Sequence, residues 1–441
     1  MSDRVIFILK NVTAAIRAAF AVKAENSESS KGPIKVAEPS ALFPNVSYSV
    51  ECKGDGNHGE AVDLQIEAAA STVVGTNIVL HNNPFELVQT TIKNMNVNLK
   101  RAGFWSGQRE PLNIAAAEMQ NAEFTFLYYC DSPEAARELL KTISFRIHAI
   151  HGEKAQSVTS CDRETVYANH LPEGMLRVYI KWVGAKDTIL EVADEEARSS
   201  LVSVAPLLVR IEYVLNGRTI RKGIPSPDGK RTFNRLVSSW QFDKGNTPSG
   251  WEQSPAKAVF AFVRKALRLD RPLASETVAP ESLDILKPYT EVLAWYFSGN
   301  DPHEHPYFSH LDKVNRSKRF SACKQDIYKA GQFDITIPWE KAKILAVDGL
   351  SEHLAFENRF RIAHWLRPHT FTPEGVTKAN GKLSALYAGE ESDANVEDGA
   401  WEVSRPAEEI DLGEPNRKGP PKPVSTTPVF QRTKPGFRVP R

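Results

Sequence analysis

The sequence predicts an α+β fold in which an antiparallel sheet has helices packed on one face. Runs that alternate between apolar and polar residues, typical of strands, are interspersed with amphipathic runs typical of helices. Two of the helical runs have clear start signals, Asn83 with Pro84 and Ser132 with Pro133, since Asn and Ser cap helices and Pro suits the first turn. The predicted sheet domain extends from about residue 41 to about residue 225.

The predicted elements follow one another closely along this domain. Strands are predicted at 45–52, 62–68, 122–129, 164–169, 175–183 and 206–217, and helices at 83–103, from 132 onward and near 189–203. Before them, the apolar run VIFIL near the N-terminus predicts a short strand or an amphipathic helix. It is interrupted by Lys10 and Arg17, and a membrane span would need about 20 apolar residues. No internal repeat is evident.

The rest of the chain divides into three further parts. Residues 1–40 are expected to hold the N-terminal strand or helix and a polar linker. Residues 226–388 are expected to be mainly helical and to bind DNA. Residues 389–441 form an acidic and then Pro-rich, basic tail, which has too few apolar residues to fold alone.

The composition limits the function classes. Of the 441 residues 41% are hydrophobic and 25% are charged, which excludes a wholly disordered protein. The net charge of +1 means that any nucleic-acid site must be local. The four cysteines include no C-x-x-C pair, so neither a zinc site nor a disulfide framework is indicated. This usage fits a reducing cytoplasm.

Polar side chains alternate with apolar ones on three of the predicted strands, and one sheet face would gather them. They are Glu123 and Thr125; Arg177, Tyr179 and Lys181; and Arg210 and Glu212. One interpretation is an ordinary solvated sheet face. The other is an active site, in which Glu123 and Glu212 hold Mg²⁺ or Mn²⁺ and Tyr179 attacks phosphorus. Lys181 would then favour the phenolate form of Tyr179.

These strands resemble a known family. Leu176–Lys181 matches an L-x-x-Y-x-K strand and Leu208–Glu212 matches an L-x-R-x-E strand. In this order and spacing they are similar to the gene II replication-associated proteins of filamentous phages and to related plasmid initiators. The resemblance covers about residues 45–225. Glu123 stands where the family has aspartate, and Asn121 replaces an arginine two positions earlier.

The resemblance implies a rolling-circle replication initiator. Such an enzyme nicks one strand of origin DNA through a tyrosyl 5′-phosphodiester, leaves a 3′-OH for a host polymerase, and rejoins the displaced strand as a circle. Its partners would be double-stranded origin DNA, the displaced single strand, and the host helicase and polymerase in a bacterial cytoplasm, with no membrane. Two alternatives stay open: a non-catalytic origin-binding protein of the same fold, and a relaxase-like mobilisation nuclease with histidine ligands.

Other residues are weaker candidates for the site. Tyr167 is the alternative nucleophile, whereas Tyr128 falls on the apolar face. The histidines of RIHAIHG (146–152) and HEHPYFSH (303–310) are more simply explained as structural than as metal ligands. Basic residues that could contact DNA lie on two of the predicted strands, after the last predicted strand and in a later helical segment: Arg177 and Arg210, then Arg218, Arg221 and Lys222, then Lys313, Arg316, Lys318 and Arg319.

Overall fold

A nine-stranded antiparallel sheet organises the protein. The computed structural model describes residues 4–13, 15–16, 18–20, 35–43, 46–53, 62–75, 83–160, 163–180, 199, 202–241, 254–269, 286–331, 334–345, 350–356 and 372–389. The strands are β1 Arg4–Val12, β2 Lys35–Pro39, β3 Ser47–Lys53, β4 Val62–Ala69, β5 Ala117–Tyr129, β6 Ala155–Ser160, β7 Arg163–Ala168, β8 Gly174–Ile180 and β9 Leu208–Leu215. Their order across the sheet is β2-β3-β4-β1-β5-β9-β8-β7-β6.

Helices cover one face of the sheet, so the predicted α+β class is confirmed. The helices are α1 Ser71–Val74, α2 Pro84–Arg101, α3 Pro133–His151, α4 Gly217–Lys222, α5 Pro255–Leu267, α6 Thr290–Phe297, α7 Pro306–Ser309, α8 Lys313–Gly331, α9 Trp339–Leu345, α10 Leu350–His353 and α11 Pro373–Ala388. The apolar side chains of β5 pack beneath them. The ring centroids of Phe126 and Phe260 are 5.0 Å apart, and those of Phe124 and Trp240 are 6.1 Å apart.

Two of the long helices, α2 and α3, begin where the sequence predicts. The side chain of Asn83 accepts a hydrogen bond from the backbone N–H of Phe85, and that of Ser132 accepts one from Ala135. Pro84 and Pro133 occupy the first turns. These caps satisfy backbone donors that a helix start otherwise leaves unpaired, so the local sequence fixes both helix starts.

Strand β1 lies in the middle of the sheet, between β4 and β5. Its side chains alternate as a strand requires: Val5, Phe7 and Leu9 are buried in the core. The predicted boundary near residue 40 is therefore wrong, because the N-terminal strand belongs to the sheet. A sequence pattern could indicate the strand, but not its partners, since Val5 pairs with Ala122 far along the chain.

The two halves of the sheet are wound alike. In the first half, β1 is followed by helical residues at 15–16 and 18–20 and then by β2, β3 and β4, and β4 returns to pair with β1. In the second half, β5 leads through α3 to β6, β7, β8 and β9, and β9 returns to pair with β5. The central strands β1 and β5 pair antiparallel, which joins the two halves.

The strand registers support this correspondence. Ser49 of β3 pairs with Glu67 of β4, as Arg177 of β8 pairs with Glu212 of β9. The returning strands also share an Ile-Glu pair, Leu64–Ala68 reading LQIEA and Val209–Tyr213 reading VRIEY. Few residues are shared beyond these, which explains why the sequence alone indicates no repeat.

The core of the sheet continues past residue 225. Trp240, Phe260, Leu350 and Val376 are all buried in it, so the predicted boundary near 225 falls inside one core. Residues between 286 and 335 form a second apolar cluster around Tyr296, together with the buried side chains of α8.

Two groups of predictions lie outside the described residues. One is most of the predicted helix near 189–203, and the other is the tail beyond residue 389. In the part of the chain that is described, no helix has both the length and the apolar character needed to cross a bilayer.

Candidate active site

Three adjacent strands bring the predicted polar side chains together. β9 lies between β5 and β8, with Glu212 paired with Thr125 on one side and with Arg177 on the other. Because side chains alternate along each strand, the polar ones fall on the face opposite the helices. Sequence alternation therefore identified this group correctly.

Glu212 is the centre of the group and is fully buried. Its Oε1 accepts a hydrogen bond from the Tyr179 hydroxyl at 2.6 Å and another from Arg210 Nε, and its Oε2 accepts from Arg177 Nε. Arg210 also donates to the Thr125 hydroxyl at 3.1 Å. A buried carboxylate is costly unless it is paired and hydrogen-bonded, and Glu212 is both.

Glu123 is the second carboxylate and is only 4% exposed. Nη2 of Arg177 donates to its Oε1 at 2.9 Å, so one guanidinium bridges Glu123 and Glu212. A further arginine, Arg4 of β1, has its Nε 4.0 Å from Glu123 Oε2 and donates through Nη1 to Glu67 at 2.8 Å. Arginine side chains from other strands thus neutralise Glu123, although the sequence places Asn121 where the family has arginine.

The charges determine the protonation states in this group. Burial would raise the pKa of Glu212, but Arg210 and Arg177 outweigh it and lower that pKa below its usual value. Burial raises the pKa of Tyr179 well above 10, and neighbouring Glu212 raises it further against the opposing effect of Arg210. The raised pKa favours the phenol form of Tyr179 at neutral pH. The effect of Lys181 on Tyr179 stays a prediction. Lys181 itself lies outside the described residues.

The donor set does not fit a divalent cation in this arrangement. A cation shared by Glu123 and Glu212 would lie between them, where the Arg177 guanidinium contacts both carboxylates. Mg²⁺ prefers several oxygen ligands, and within the described residues no group of three or more His, Cys, Asp or Glu could hold a metal ion. Metal binding through Glu123 and Glu212 stays a prediction, and it would require Arg177 to move.

Tyr167, the alternative nucleophile, lies on β7 opposite Arg177. It is half-buried and on the same face as Tyr179, but no hydrogen bond from its hydroxyl to a described residue is found. Tyr128 lies on the other face, as predicted, and its hydroxyl donates to the backbone of Ala355 at 3.3 Å. Of these tyrosines, Tyr179 alone donates its hydroxyl proton to a carboxylate within the described part of the chain.

Arg177 and Arg210, which are predicted to contact DNA, belong to this group, whereas the other predicted DNA-contacting residues lie outside it. Arg218, Arg221 and Lys222 are exposed on α4, just after the end of β9. Lys313 and Lys318 are exposed on α8. Two residues of α8 have structural contacts instead. Arg316 donates to the backbone oxygens of Ser309 and Leu311, and the Arg319 guanidinium lies 4.8 Å from the Tyr307 ring centroid.

The histidines of the segments 146–152 and 303–310 make contacts of a structural kind. His148 binds the carbonyl oxygen of Ser144, and His151 binds that of Ala266 at the end of α5. His305 accepts a hydrogen bond from the backbone N–H of Tyr307, and the His303 ring lies 3.6 Å from that of Phe320. These contacts favour neither a zinc site nor the histidine ligands of a relaxase.

Arg4 is the residue of this group that sequence reasoning missed. It begins an alternating run in which Arg4, Ile6, Ile8 and Lys10 share one face, so its position on a polar sheet face could have been inferred. Its proximity to Glu123 could not, because that depends on the pairing of β1 with β5.

Comparisons of the chain with models of known protein families, with curated proteins and with solved structures found no match. The likeness to the gene II replication proteins therefore stays a resemblance in motifs and their order.

Proposed function

We propose that the chain is a nucleic-acid strand-nicking and strand-joining enzyme of the rolling-circle type, with Tyr179 as its nucleophile. One observation carries this proposal: the Tyr179 hydroxyl donates to Glu212 Oε1 at 2.6 Å. A nucleophile within hydrogen-bond reach of a base, where that base is oriented by further groups, is the arrangement that covalent catalysis needs. Arg177 and Arg210 orient Glu212.

In the nicking step Glu212 acts as the general base. As the Tyr179 oxygen forms its bond to phosphorus, the acidity of the phenol rises and its proton passes to Glu212. The bond from phosphorus to the 3′ oxygen breaks, and that oxygen is protonated by water to give the 3′-OH. Because the resting phenol has a raised pKa, proton transfer and attack must occur together.

The arginines would stabilise the charge that develops on the phosphoryl oxygens. A guanidinium offers a planar pair of donors that matches phosphate geometry. Arg177 is the better placed of the two, because Arg210 is fully buried and also donates to Thr125. No step of this mechanism passes through a metal. The dependence of nicking on Mg²⁺ or Mn²⁺ stays a prediction, which the nicking assay described below tests.

The proposed partners follow from this activity. They are double-stranded origin DNA, the displaced single strand, and the host helicase and polymerase, in the cytoplasm of a bacterium that carries the phage or plasmid.

We expect Lys313 and Lys318 of α8 to contact duplex phosphates. In the double variant Lys313→Gln/Lys318→Gln the slope of log affinity against log salt should fall in magnitude by about 2. Lys141→Gln on α3, also exposed, is the control.

The test uses the full chain with supercoiled DNA from its own replicon, with Mg²⁺ and with EDTA. We expect nicked DNA with protein on the 5′ end, and loss of both products in Tyr179→Phe. Tyr167→Phe is the matched control and should keep them. If Tyr167→Phe loses the adduct and Tyr179→Phe keeps it, the nucleophile is Tyr167. If no variant and no metal condition gives an adduct, the proposal is wrong.

A second function is favoured by the same network. Both carboxylates are neutralised by arginine, and Tyr179 is held as a phenol. A non-catalytic origin-binding protein could keep such a network as internal support for its sheet. It would bind origin duplex in preference to scrambled duplex and give no adduct.

A further inference from the structure

Arg4 lies on β1, where the two halves of the sheet meet, and its side chain is close to a carboxylate of each half. Its Nη1 donates to Glu67, which belongs to the first half, while its Nε lies 4.0 Å from Oε2 of Glu123, which belongs to the second half. That Nε is buried and makes no hydrogen bond to any described residue. A buried N–H donor without a partner costs free energy, so its position beside a carboxylate calls for an explanation.

Arg177 is held by two carboxylates at once. It donates to Glu123 Oε1 and to Glu212 Oε2. If Arg177 turns towards a phosphate, Glu123 loses a charge-assisted hydrogen bond while it is only 4% exposed. Removing one partner from a buried charge pair is strongly destabilising, because the other charge is left uncompensated. A substrate phosphate would have to compensate for that cost unless another cation approached Glu123.

Apart from Arg177, Arg4 is the cation best placed to approach Glu123 among the residues that the structure describes. Its other partner, Glu67, has a side chain that is 34% exposed, so their ion pair is weak and costs little to rearrange. Arg210 is committed to Glu212 and Thr125, and Lys10 contacts Asp63. A shift of about 1 Å would bring Arg4 Nε to a normal hydrogen-bond distance from Glu123.

We propose that Arg4 is a positioning residue that replaces Arg177 at Glu123 when Arg177 turns to a substrate phosphate. The proposal rests on the proposed function, since it assigns the phosphate to Arg177. In this scheme the first half of the sheet supplies a reserve counter-ion to the site in the second half. Arg4 itself never touches the reacting atoms.

The replacement of Arg177 by Arg4 at Glu123 can be tested without any substrate, by double-mutant cycles in thermal unfolding. The coupling between Arg4 and Glu123 is measured with Arg4→Gln, Glu123→Gln and the double variant. The cycle is then repeated with Arg177→Gln, which imitates the departure of the guanidinium. We expect the coupling, expressed as a shift in melting temperature, to be at least about twofold larger without Arg177. An equal or smaller coupling would overturn the proposal. Glu67→Gln is the control. It should change the coupling between Arg4 and Glu123 little, whether Arg177 is present or replaced by glutamine.

A replacement variant at Arg177 and a binding measurement show whether Arg4 acts through Glu123 or is merely structural. If Arg177→Gln does not fold, Arg177→Lys replaces it, because a shorter ammonium cannot bridge both carboxylates. In a Tyr179→Phe background, which binds without reacting, Arg4→Gln should weaken binding of a single-stranded oligonucleotide at least threefold, and adding Glu123→Gln should restore it. A loss that Glu123→Gln does not rescue would mean that Arg4 is merely structural. Failure of the nicking assay would refute the proposed function and leave the unfolding cycles to decide the role of Arg4.

Discussion

At the scale of single residues, Glu212 holds two other buried charges in place. Arg177 is 3% exposed and Arg210 is fully buried, and both donate to this carboxylate. In Glu212→Gln the amide cannot balance either charge. We expect a loss of about 3–5 kcal/mol in the free energy of unfolding, measured by urea denaturation. Glu67→Gln, at the corresponding position of β4, should cost less than about 1 kcal/mol. Equal costs would show that the Glu212 network contributes no more than a surface ion pair.

The lowered pKa of Glu212 predicts how this contribution depends on pH. In the unfolded chain the pKa of Glu212 returns to about 4.5, whereas in the folded chain it is lower. A carboxyl group of this kind stabilises the fold above its unfolded pKa, and the stability is lost as the pH falls towards its folded pKa. The gap in unfolding free energy between the native chain and Glu212→Gln should therefore narrow below about pH 4.5. A gap that is constant from pH 7 to pH 3 would contradict this.

How far the site could be predicted also depends on individual residues. Alternation along single strands was enough to gather Glu123, Arg177, Tyr179 and Glu212, because side-chain direction is a local property. It could not reveal that Arg177 bridges the two carboxylates, nor that Tyr179 is a phenol. Those depend on burial and on distances between strands, which a linear pattern does not contain.

At the scale of elements, the close pairing of β8 with β9 fixes the distance between Tyr179 and Glu212. Gly174 starts β8, and a Cβ atom there would lie 2.0 Å from the backbone oxygen of Val214. Gly174→Ala should therefore force the strands apart and lower both the melting temperature and adduct formation. Gly381→Ala in α11 is the matched control, since nothing lies within 4 Å of its added Cβ. It should stabilise the fold by about 0.5–1 kcal/mol. The same effect at both sites would show that the close contact is not important.

Helix starts were predictable from sequence, and helix packing was not. Asn83 and Ser132 act within one turn of the chain, so their capping roles could be inferred directly. The docking of α11 on α2 depends on contacts between distant residues, such as the 3.0 Å hydrogen bond between Thr90 and Asn380. For that reason the sequence predicts the C-terminal helices as a separate region, although in the structure some of them complete the core of the sheet.

At the scale of the whole molecule, this shared core decides which fragments can fold. A fragment ending at residue 226 would lose Trp240, Phe260 and Val376 from the core, along with other buried side chains. Nine further large apolar side chains of this core also lie beyond residue 226: Phe233, Val237, Val259, Val263, Leu267, Leu269, Leu350, Leu354 and Phe356. At about 1.5–3 kcal/mol each, burial of the twelve contributes more than the 5–15 kcal/mol that usually separates folded from unfolded chains. We expect 1–226 to show no cooperative thermal transition, and 1–389 to melt like the full chain. A cooperative transition in 1–226 would mean that the sheet is stable without these helices.

The central position of β1 has a consequence during synthesis of the protein. Its partner β5 lies more than a hundred residues later, so β1 to β4 leave the ribosome well before β5 does. Until then β1 lacks one of its two neighbouring strands, so it would be an open edge in any sheet that the first half forms. Such edges template pairing between chains. We therefore expect the yield of the protein in cells to respond to the translation rate between residues 70 and 130, and to chaperones that cover the open edge of β1.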